Sequence, residues 1–364
     1  MSSSSVSILN ILVLSIFFAA QCCATQEDSS NYYITWKAFS IDGVNLTQGY
    51  ENSHVIVVAK DGSGDSLTVQ GAVDMVPSNN KERVKIFIQP GIYRERVTVP
   101  RTKPYVSFIG KQNSQTVITG HTKASDKDSN GREIGTVYTA TVNVESDYFC
   151  ATEITFQNTV VEKPGMNGAQ ALAFKISGDK SMLYKVRFVG SQDTLLDDSG
   201  THYFYQCHIE GAIDFIFGTA KSLYQDCTIT LTAEKAGSIA AHHRESEDED
   251  SGFSFVNCKV NGTGKEVDLG RAWGKYARTV YSYCDLDINI SEQRWSDMGD
   301  ESSRRTVQFG EYESSGKGAG QMGRFMRKRA KHMKHKPWVK PLSYQEAMPF
   351  LDKTFINGDK WLRV

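Results

Sequence analysis

The sequence predicts an all-β protein of the parallel β-helix type, in which the chain coils and stacks one short strand of each coil on the next. Strand-like runs recur from Val55 to Leu286, with Gly, Asn and Asp between them. Side chains alternate between the two faces of each run, which places an equivalent residue of each run on the inward face. These inward residues recur at intervals of roughly 20 to 30 residues. Tight Asn-Gly or Asp-Gly hairpins, which would favour a β-sandwich, are few. The aligned inward residues are Ile154, Val186, Cys207, Cys227, Cys258 and Cys284.

Composition agrees with one turn-rich β domain. The chain has 364 residues, of which 40% are hydrophobic and 23% are charged. Its formal net charge of −1 gives no global field that would attract nucleic acid or an anionic membrane. No linker or break in composition divides the chain, so we expect one domain over residues 51–364, preceded by an N-terminal segment over residues 25–50.

The first 24 residues are typical of a secretory signal peptide. The run from Ile8 to Ala20 is mostly apolar, and Cys22 and Ala24 suit the small-residue rule for cleavage. The run is too short to span a bilayer comfortably. We therefore predict a secreted protein, in which Asn45, Asn261 and Asn289 are candidate sites of N-glycosylation.

Two short helices are expected at the ends of the solenoid, because stacked coils need covered ends. Asp65 and Ser66 precede apolar residues at helical spacing, which predicts a capped helix at the N-terminal end. Near the C-terminus, Ser343 and Glu346 are spaced as a capping box.

Five cysteines remain after removal of the signal peptide, so at least one is unpaired or bonded to another molecule. Cys207 and Cys227 hold equivalent places on neighbouring coils, about 5 Å apart, which predicts a disulfide in a secreted chain. The alternative is that both are small core residues in an inward stack. The pairing of Cys150, Cys258 and Cys284 stays open.

Four polar residues recur at the spacing of one coil and would meet on one outer face. They are Gln170, Gln192, Asp193 and Asp214. Two neighbouring carboxylates push their pKa values apart, which leaves one as an ionised nucleophile and the other as a proton carrier. Two amides beside them can donate to a developing oxyanion. This set predicts acyl chemistry on a solenoid.

With five motifs in order, the chain resembles the plant pectin methylesterases (pectinesterases), specifically those without a long inhibitory pro-region. The resemblance covers roughly Val55 to Leu362. The motifs are Gly91-Ile92-Tyr93-Arg94-Glu95, Gln170-Ala171-Leu172-Ala173, Gln192-Asp193-Thr194-Leu195, Asp214-Phe215-Ile216-Phe217-Gly218 and Gly270-Arg271-Ala272-Trp273.

This resemblance implies a right-handed parallel β-helix with an open cleft. It also implies a secreted enzyme of the cell wall that removes methyl groups from methyl-esterified homogalacturonan and releases methanol. Pectin would be the main partner and a proteinaceous inhibitor a further one. We expect a monomer that uses no metal and no organic cofactor.

Roles carried over by position make Asp214 the nucleophile and Asp193 the general acid and then base. Gln170 and Gln192 would be the oxyanion donors, and Arg271 a bidentate partner of Asp214. Trp273 would line a sugar subsite, and Thr136 is similar to a threonine that contacts substrate. Asp197 and Asp198 replace residues that are often aromatic or basic in relatives, so we expect them to weaken binding of demethylated substrate.

Each of these residues also has a purely structural interpretation. Asp214 and Arg271 would then be an ion pair, the glutamines an amide ladder and Trp273 a packing residue. Two other classes of protein are a pectate lyase or polygalacturonase on the same solenoid, and a non-catalytic carbohydrate-binding relative. Neither of these two classes of protein would explain the presence of both Gln170 and Gln192.

The chain also contains two charged stretches. Glu245 to Asp250 is acidic and is predicted to be a solvated turn. Arg324 to Lys340 is basic, and two interpretations are open for it: an exposed loop, or a docking surface for an anionic polymer.

Overall fold

The structure is a computed structural model that describes residues 33–46, 54–163, 166–319 and 338–364. Three parallel sheets run along one solenoid, and each coil contributes a strand to each sheet in turn. Sheet 1 contains the strands β2 (Val55–Val58), β3 (Val84–Ile88), β6 (Val106–Ile109), β9 (Cys150–Thr152), β12 (Ser181–Tyr184), β15 (Thr201–Tyr205), β18 (Lys221–Gln225), β21 (Gly252–Val256), β24 (Arg278–Ser282) and β27 (Gln308–Tyr312).

The other two sheets have eight strands each. Sheet 2 contains β4 (Gly91–Arg94), β7 (Thr116–Gly120), β10 (Thr155–Asn158), β13 (Arg187–Val189), β16 (His208–Gly211), β19 (Thr228–Leu231), β22 (Lys259–Gly262) and β25 (Asp285–Leu286). Sheet 3 contains β5 (Val97–Val99), β8 (Val142–Val144), β11 (Phe174–Ile176), β14 (Leu195–Asp197), β17 (Ile213–Gly218), β20 (Ala236–His242), β23 (Glu266–Ala272) and β26 (Trp295–Ser296).

The register predicted from the inward residues is confirmed. Each of these residues directly precedes a strand of sheet 2, and those strands pair in parallel from Thr155 through Arg187, His208, Thr228 and Lys259 to Asp285. The six inward residues are therefore in line and none is more than 2% exposed. Aromatic rings stack in the same core, with Phe204, Tyr224, Phe255 and Tyr281 at centroid distances of 4.5 to 4.7 Å.

The turn from sheet 1 to sheet 2 has a repeated backbone geometry. From β9 onwards it is two residues long, and its first residue has a positive φ of 52° to 56° in six successive coils. Its second residue is the buried inward one. A left-handed residue reverses the direction of the chain tightly enough to bring this side chain back into the core. The six left-handed residues are Glu153, Lys185, Gln206, Asp226, Asn257 and Tyr283.

The predicted disulfide between Cys207 and Cys227 is wrong. All five cysteines of the described residues are free and buried. The Cys207 thiol donates to the Leu183 carbonyl at 3.2 Å, and the Cys227 thiol donates to the Phe204 carbonyl at 3.4 Å. Residues in register on a parallel sheet extend their side chains in the same direction, so a short Cα separation alone does not bring two sulfurs together. Cys258 and Cys284 continue this ladder of thiols.

The helix α1 (Val69–Met75) closes the N-terminal end, as predicted, but its cap lies further along the chain. Thr68 is the N-cap and its hydroxyl accepts the Gly71 N–H at 3.0 Å, whereas the prediction used Asp65 and Ser66. The carboxylate of Glu95 accepts the N–H groups of Val69 and Gln70, both at 2.9 Å. This second contact satisfies two more of the free donors at the start of the helix.

The predicted capping box of Ser343 and Glu346 is present at the start of the helix α2 (Tyr344–Ala347). The segment that follows this helix lies along the outer face of sheet 1, where the Ser254 hydroxyl donates to the Phe350 carbonyl at 2.6 Å. Strands β1 (Ile34–Thr35) and β28 (Leu362–Arg363) pair there, so both terminal segments cover that face.

Two predictions fall mainly outside the described residues: the signal peptide over residues 1–24 and the basic stretch from Arg324, of which only residues 338–340 are described. The acidic stretch Glu245 to Asp250 is a turn with mostly exposed side chains, as expected. Within the described ranges, no helix has the length and apolar character required to cross a membrane.

Candidate active site

The predicted site residues come together on the outer face of sheet 3. Gln170 lies in the connection between β10 and β11, and Gln192 and Asp193 lie in the next such connection, between β13 and β14. Asp214 follows on the third coil, as the second residue of β17. On each of the three coils, these residues lie where the chain passes from sheet 2 into sheet 3. The four side chains therefore gather along one edge of sheet 3.

Backbone hydrogen bonds join these coils directly. The Ala171 N–H donates to the Gln192 carbonyl at 3.1 Å, and the Asp193 N–H donates to the Ile213 carbonyl at 3.1 Å. Gln192 and Ile213 also form a parallel bridge. The two aspartates, each one residue further along, are therefore neighbours on adjacent coils.

Both aspartates have a left-handed backbone conformation, with φ of 62° at Asp193 and 46° at Asp214. The pairing of β17 with β20 also shifts register between Ile213 and Ile216, as at a β-bulge. Asp tolerates this region better than most residues, but the conformation is still less favourable than an extended strand. Such local strain is typical of functional sites, and here it turns both carboxylates out of the regular alternation of the strands.

Asp214 is held from two sides. Its Oδ2 accepts a hydrogen bond from Arg271 Nη1 at 3.0 Å, and its Oδ1 accepts one from the Ser238 hydroxyl. The predicted contact with Arg271 is confirmed, but it uses one nitrogen, because Ser238 occupies the other carboxylate oxygen. Burial raises the pKa of Asp214, and the positive charge of Arg271 and the Ser238 hydrogen bond oppose this rise.

Asp193 is in a different environment. Within the described part of the chain, its carboxylate has no hydrogen-bond or ion-pair partner. Burial raises the pKa of Asp193 well above its usual value, and the neighbouring charge of Asp214 raises it further. One carboxyl group is thus favoured in the protonated form beside another that is held by an arginine and a hydroxyl.

The amide groups of Gln170 and Gln192 are half-buried. Neither makes a side-chain hydrogen bond to any of the described residues, so they do not form the amide ladder considered as an alternative. Thr136 begins a short turn of 3-10 helix over Thr136–Thr139. Its loop reaches Gln170 through Ala124, which donates to the Gln170 carbonyl at 2.9 Å and accepts from the Gly135 N–H at 3.0 Å.

Trp273 lies on the opposite edge of sheet 3, in the turn that leaves β23, and its side chain is 46% exposed. Its ring contacts Phe217 at a centroid distance of 5.8 Å and His243 at 4.8 Å. An apolar patch lies on the outer face of sheet 3 and includes Phe217, against which the Trp273 ring packs. It is formed by Ala140, Leu172, Leu196, Phe217 and Ala241.

Sequence reasoning missed His243 and Ser238. His242 and His243 are neighbours in the sequence, but their side chains lie on opposite faces of the sheet. His242 points into the core, where burial lowers its pKa to about 3, whereas His243 points outward and pairs with Glu245 at 3.1 Å. Period-2 alternation after β20 was the signal that could have placed His243 on the outer face.

A family model described as Pectinesterase matches residues 55–359. The chain belongs to the pectinesterase family. Its relatives include Pectinesterase QRT1 of Arabidopsis thaliana, which is 54% identical over 340 residues, covering 93% of this chain and 85% of the relative. Probable pectinesterase 8 of the same plant is 41% identical, over 86% of this chain and 77% of the relative. The predicted family is thereby confirmed.

Solved structures agree with this assignment. The pectin methylesterase from carrot superposes with a TM-score of 0.74 at 32% identity, covering 84% of this chain and 94% of the carrot chain. The enzyme from Aspergillus niger gives a TM-score of 0.70 at 28% identity, over 85% and 95% of the two chains. This pectinesterase is therefore a carboxylic ester hydrolase with a right-handed parallel β-helix.

One expectation about the pectinesterase cleft is wrong. Asp197 was expected to face the substrate, but it is fully buried and points into the solenoid. Its Oδ1 contacts His202 Nδ1 at 2.5 Å, and its Oδ2 accepts the Tyr224 hydroxyl at 2.6 Å. Asp198 is on the outer side and forms an ion pair with Lys175 at 3.4 Å. The signal that was overlooked is alternation along β14, which turns every second residue inward.

Proposed function

We propose that this pectinesterase demethylates methyl-esterified homogalacturonan by an aspartyl-ester mechanism. The observation that carries the proposal is the unequal pair of neighbouring carboxylates. Asp214 is held by Arg271 and Ser238, whereas Asp193 has a strongly raised pKa and no partner in the described part of the chain. A nucleophile that is ionised beside an acid that is protonated is what hydrolysis of an ester near neutral pH requires.

In the first half of the reaction, the Asp214 carboxylate attacks the carbonyl carbon of the methyl ester. The negative charge that develops on the carbonyl oxygen accepts hydrogen bonds from the amides of Gln170 and Gln192. The bond from the carbonyl carbon to the methoxy oxygen then breaks, and Asp193 gives its proton to the leaving oxygen. Methanol departs, and the galacturonosyl carbonyl remains joined to Asp214 as an acyl intermediate.

In the second half, the Asp193 carboxylate takes a proton from water as that water attacks the acyl carbon. The bond to Asp214 breaks, which releases a galacturonate carboxylic acid and restores the Asp214 carboxylate. Asp193 regains the proton that it gave to methanol, so both residues return to their initial state. Arg271 stays beside Asp214 and offsets its charge when the carboxylate reforms.

Recognition of the polymer is assigned to the rest of the cleft. The exposed ring of Trp273, supported by Phe217 and His243, offers a flat apolar surface suited to a sugar ring. Thr136 lies in the loop beside Gln170 and would contact substrate there. Pectin is thus the proposed partner, as it is for the solved pectin methylesterases that were crystallised with hexasaccharides.

The proposal extends to the setting of the enzyme. We assign it to the cell wall, since residues 1–24 have the features of a signal peptide, and we propose that it acts as a monomer that a proteinaceous inhibitor can bind. Asn45 and Asn289 are exposed, as N-linked glycans require, whereas Asn261 is half-buried and accepts the Thr230 hydroxyl at 3.0 Å. The basic stretch from Arg324 keeps its two open interpretations.

The test is methanol release from highly methyl-esterified pectin by the secreted protein. We expect stoichiometric release of methanol and acid, with no new reducing ends and no unsaturated products. Chain cleavage in the absence of methanol would favour a glycosidase or a lyase. Binding to pectin with neither product would favour a non-catalytic carbohydrate-binding protein.

A further inference from the structure

Ser238 makes two contacts with Asp214. Its Oγ accepts a hydrogen bond from the backbone N–H of Asp214 at 3.0 Å, and its hydroxyl donates a hydrogen bond to Asp214 Oδ1. Ser238 is in the middle of β20, is 2% exposed, and pairs in register with Ile213, the residue that precedes Asp214. One hydroxyl thus joins the main chain and the side chain of the same aspartate.

We propose that Ser238 is a positioning residue for the nucleophile, which holds the Asp214 carboxylate in one orientation for attack on the ester. The inference rests on the proposed function of Asp214. The backbone around Asp214 is left-handed and lies at a shift of register, so the regular ladder does not fix its side chain. The contact with Arg271 fixes only Oδ2. Without Ser238, the carboxylate would be free to rotate about that single contact.

Charges around Asp214 give the hydroxyl a second effect. Arg271 favours the ionised carboxylate, whereas Asp268, on the same strand β23 as Arg271, disfavours it. Asp268 pairs in register with Ser238, so this acid is one coil further along the same row. The Ser238 hydroxyl therefore adds to the effect of Arg271 and opposes that of Asp268, and its removal should make Asp214 harder to ionise.

The test compares Ser238→Ala with Ser238→Thr, which keeps the hydroxyl. We expect the alanine variant to lower kcat by about 10- to 100-fold, as for loss of a hydrogen bond to a charged group. We also expect the acid limb of its kcat/KM profile to move to higher pH. The threonine variant should recover most of both losses. Ser291→Ala is the matched control, since Ser291 donates to Asp268 at 2.6 Å on the next coil and should leave kcat within about twofold.

The outcomes separate this inference from the proposed function. A Ser238→Ala enzyme with wild-type kcat and an unmoved acid limb would overturn the inference and leave the aspartyl mechanism intact. A threonine variant that melts at the wild-type temperature but is as slow as the alanine variant would overturn it too, since bulk and not the hydroxyl would then matter. A wild-type protein that releases no methanol would overturn both.

Discussion

Asp197 and His202 form a hydrogen-bonded pair that is completely enclosed by the solenoid, with 2.5 Å between Oδ1 and Nδ1. Every polar atom of the pair has a partner: His202 Nε2 donates to the Gly178 carbonyl at 2.8 Å, and the Tyr224 hydroxyl donates to Asp197 Oδ2 at 2.6 Å. Asp197 ends the strand β14, which begins two residues after Asp193. The pair therefore anchors the strand that follows Asp193, one of the two carboxylates proposed to be catalytic.

This pair predicts a pH-dependent contribution to stability. Burial alone would lower the pKa of His202, but the charge and hydrogen bond of Asp197 outweigh it, so the pKa of His202 is raised. A raised pKa contributes stability that is fully present below the ordinary value of about 6.5 and is lost as pH rises through the folded-state value. We expect the free energy of unfolding, measured in urea, to fall over this range.

His202→Gln should remove that pH dependence and lower the free energy of unfolding at pH 6 by about 3 kcal/mol, because it leaves a buried carboxylate without its partner. The exposed His54 provides the control: His54→Gln should keep both the stability and its slope with pH. Wild-type and His202→Gln curves that run parallel between pH 5 and pH 8 would contradict this prediction, because they would mean that His202 binds protons equally in the folded and unfolded protein.

Part of this fold could be predicted from the sequence, because the inward row is marked by apolar residues and cysteines that recur once per coil. The turns that precede these inward residues could not be predicted. The six left-handed residues that make these turns are of six different types, including glutamate, lysine and tyrosine, since the geometry of the coil imposes the conformation on whichever residue is there. Propensity for a positive φ is too weak to be recognised in such a set.

The candidate site, too, could be predicted only in part. Asp193, Asp214 and the glutamines were predictable because their spacing matches one coil. Ser238 was not predictable, because a serine inside a strand is common and its contact with Asp214 joins two coils that only the folded chain brings together. The disulfide prediction failed for a related reason: register brings the two Cα atoms close together, but it extends the two cysteine side chains in parallel and not towards each other.

Asp214→Asn should lower kcat at least a thousandfold, because an amide cannot form the acyl intermediate. Methanol release measures the effect, and unchanged thermal unfolding shows that the variant is folded. Asp198→Asn is the matched control: this acid pairs with Lys175 and has no part in the proposed chemistry, so its kcat should stay within about twofold. An Asp214→Asn enzyme with a tenth of the normal activity would refute the assignment of the nucleophile.

Gln192→Ala should lower kcat by about 10²–10³-fold with little change in KM, since its unpaired amide is assigned to the charge that develops only in the transition state. Gln115→Ala, at an exposed amide before β7, serves as the control and should be unaffected. A rise in KM at unchanged kcat would mean that Gln192 binds the substrate and does not stabilise the oxyanion.

The free thiols predict a protein that is insensitive to reduction. All five cysteines of the described residues are buried, and four of them donate to carbonyl groups of the preceding coil. We expect the melting temperature to be the same with and without dithiothreitol. Alkylation of the purified protein in denaturant without reductant should label Cys150, Cys207, Cys227, Cys258 and Cys284, and mass spectrometry of a Cys207–Cys227 linked peptide would contradict this.

Trp273→Ala should raise KM for esterified pectin by about tenfold and leave kcat within a few-fold. The physical reason is that its half-exposed ring can stack on a sugar, whereas it has no part in the proposed chemistry. Trp273→Phe should recover most of the affinity, because it keeps an aromatic face beside Phe217 and His243. Trp36→Ala, at an exposed ring on the outer face of sheet 1, is the control for loss of an exposed indole. Equal KM values for the alanine variant and the wild type would leave Trp273 as a packing residue.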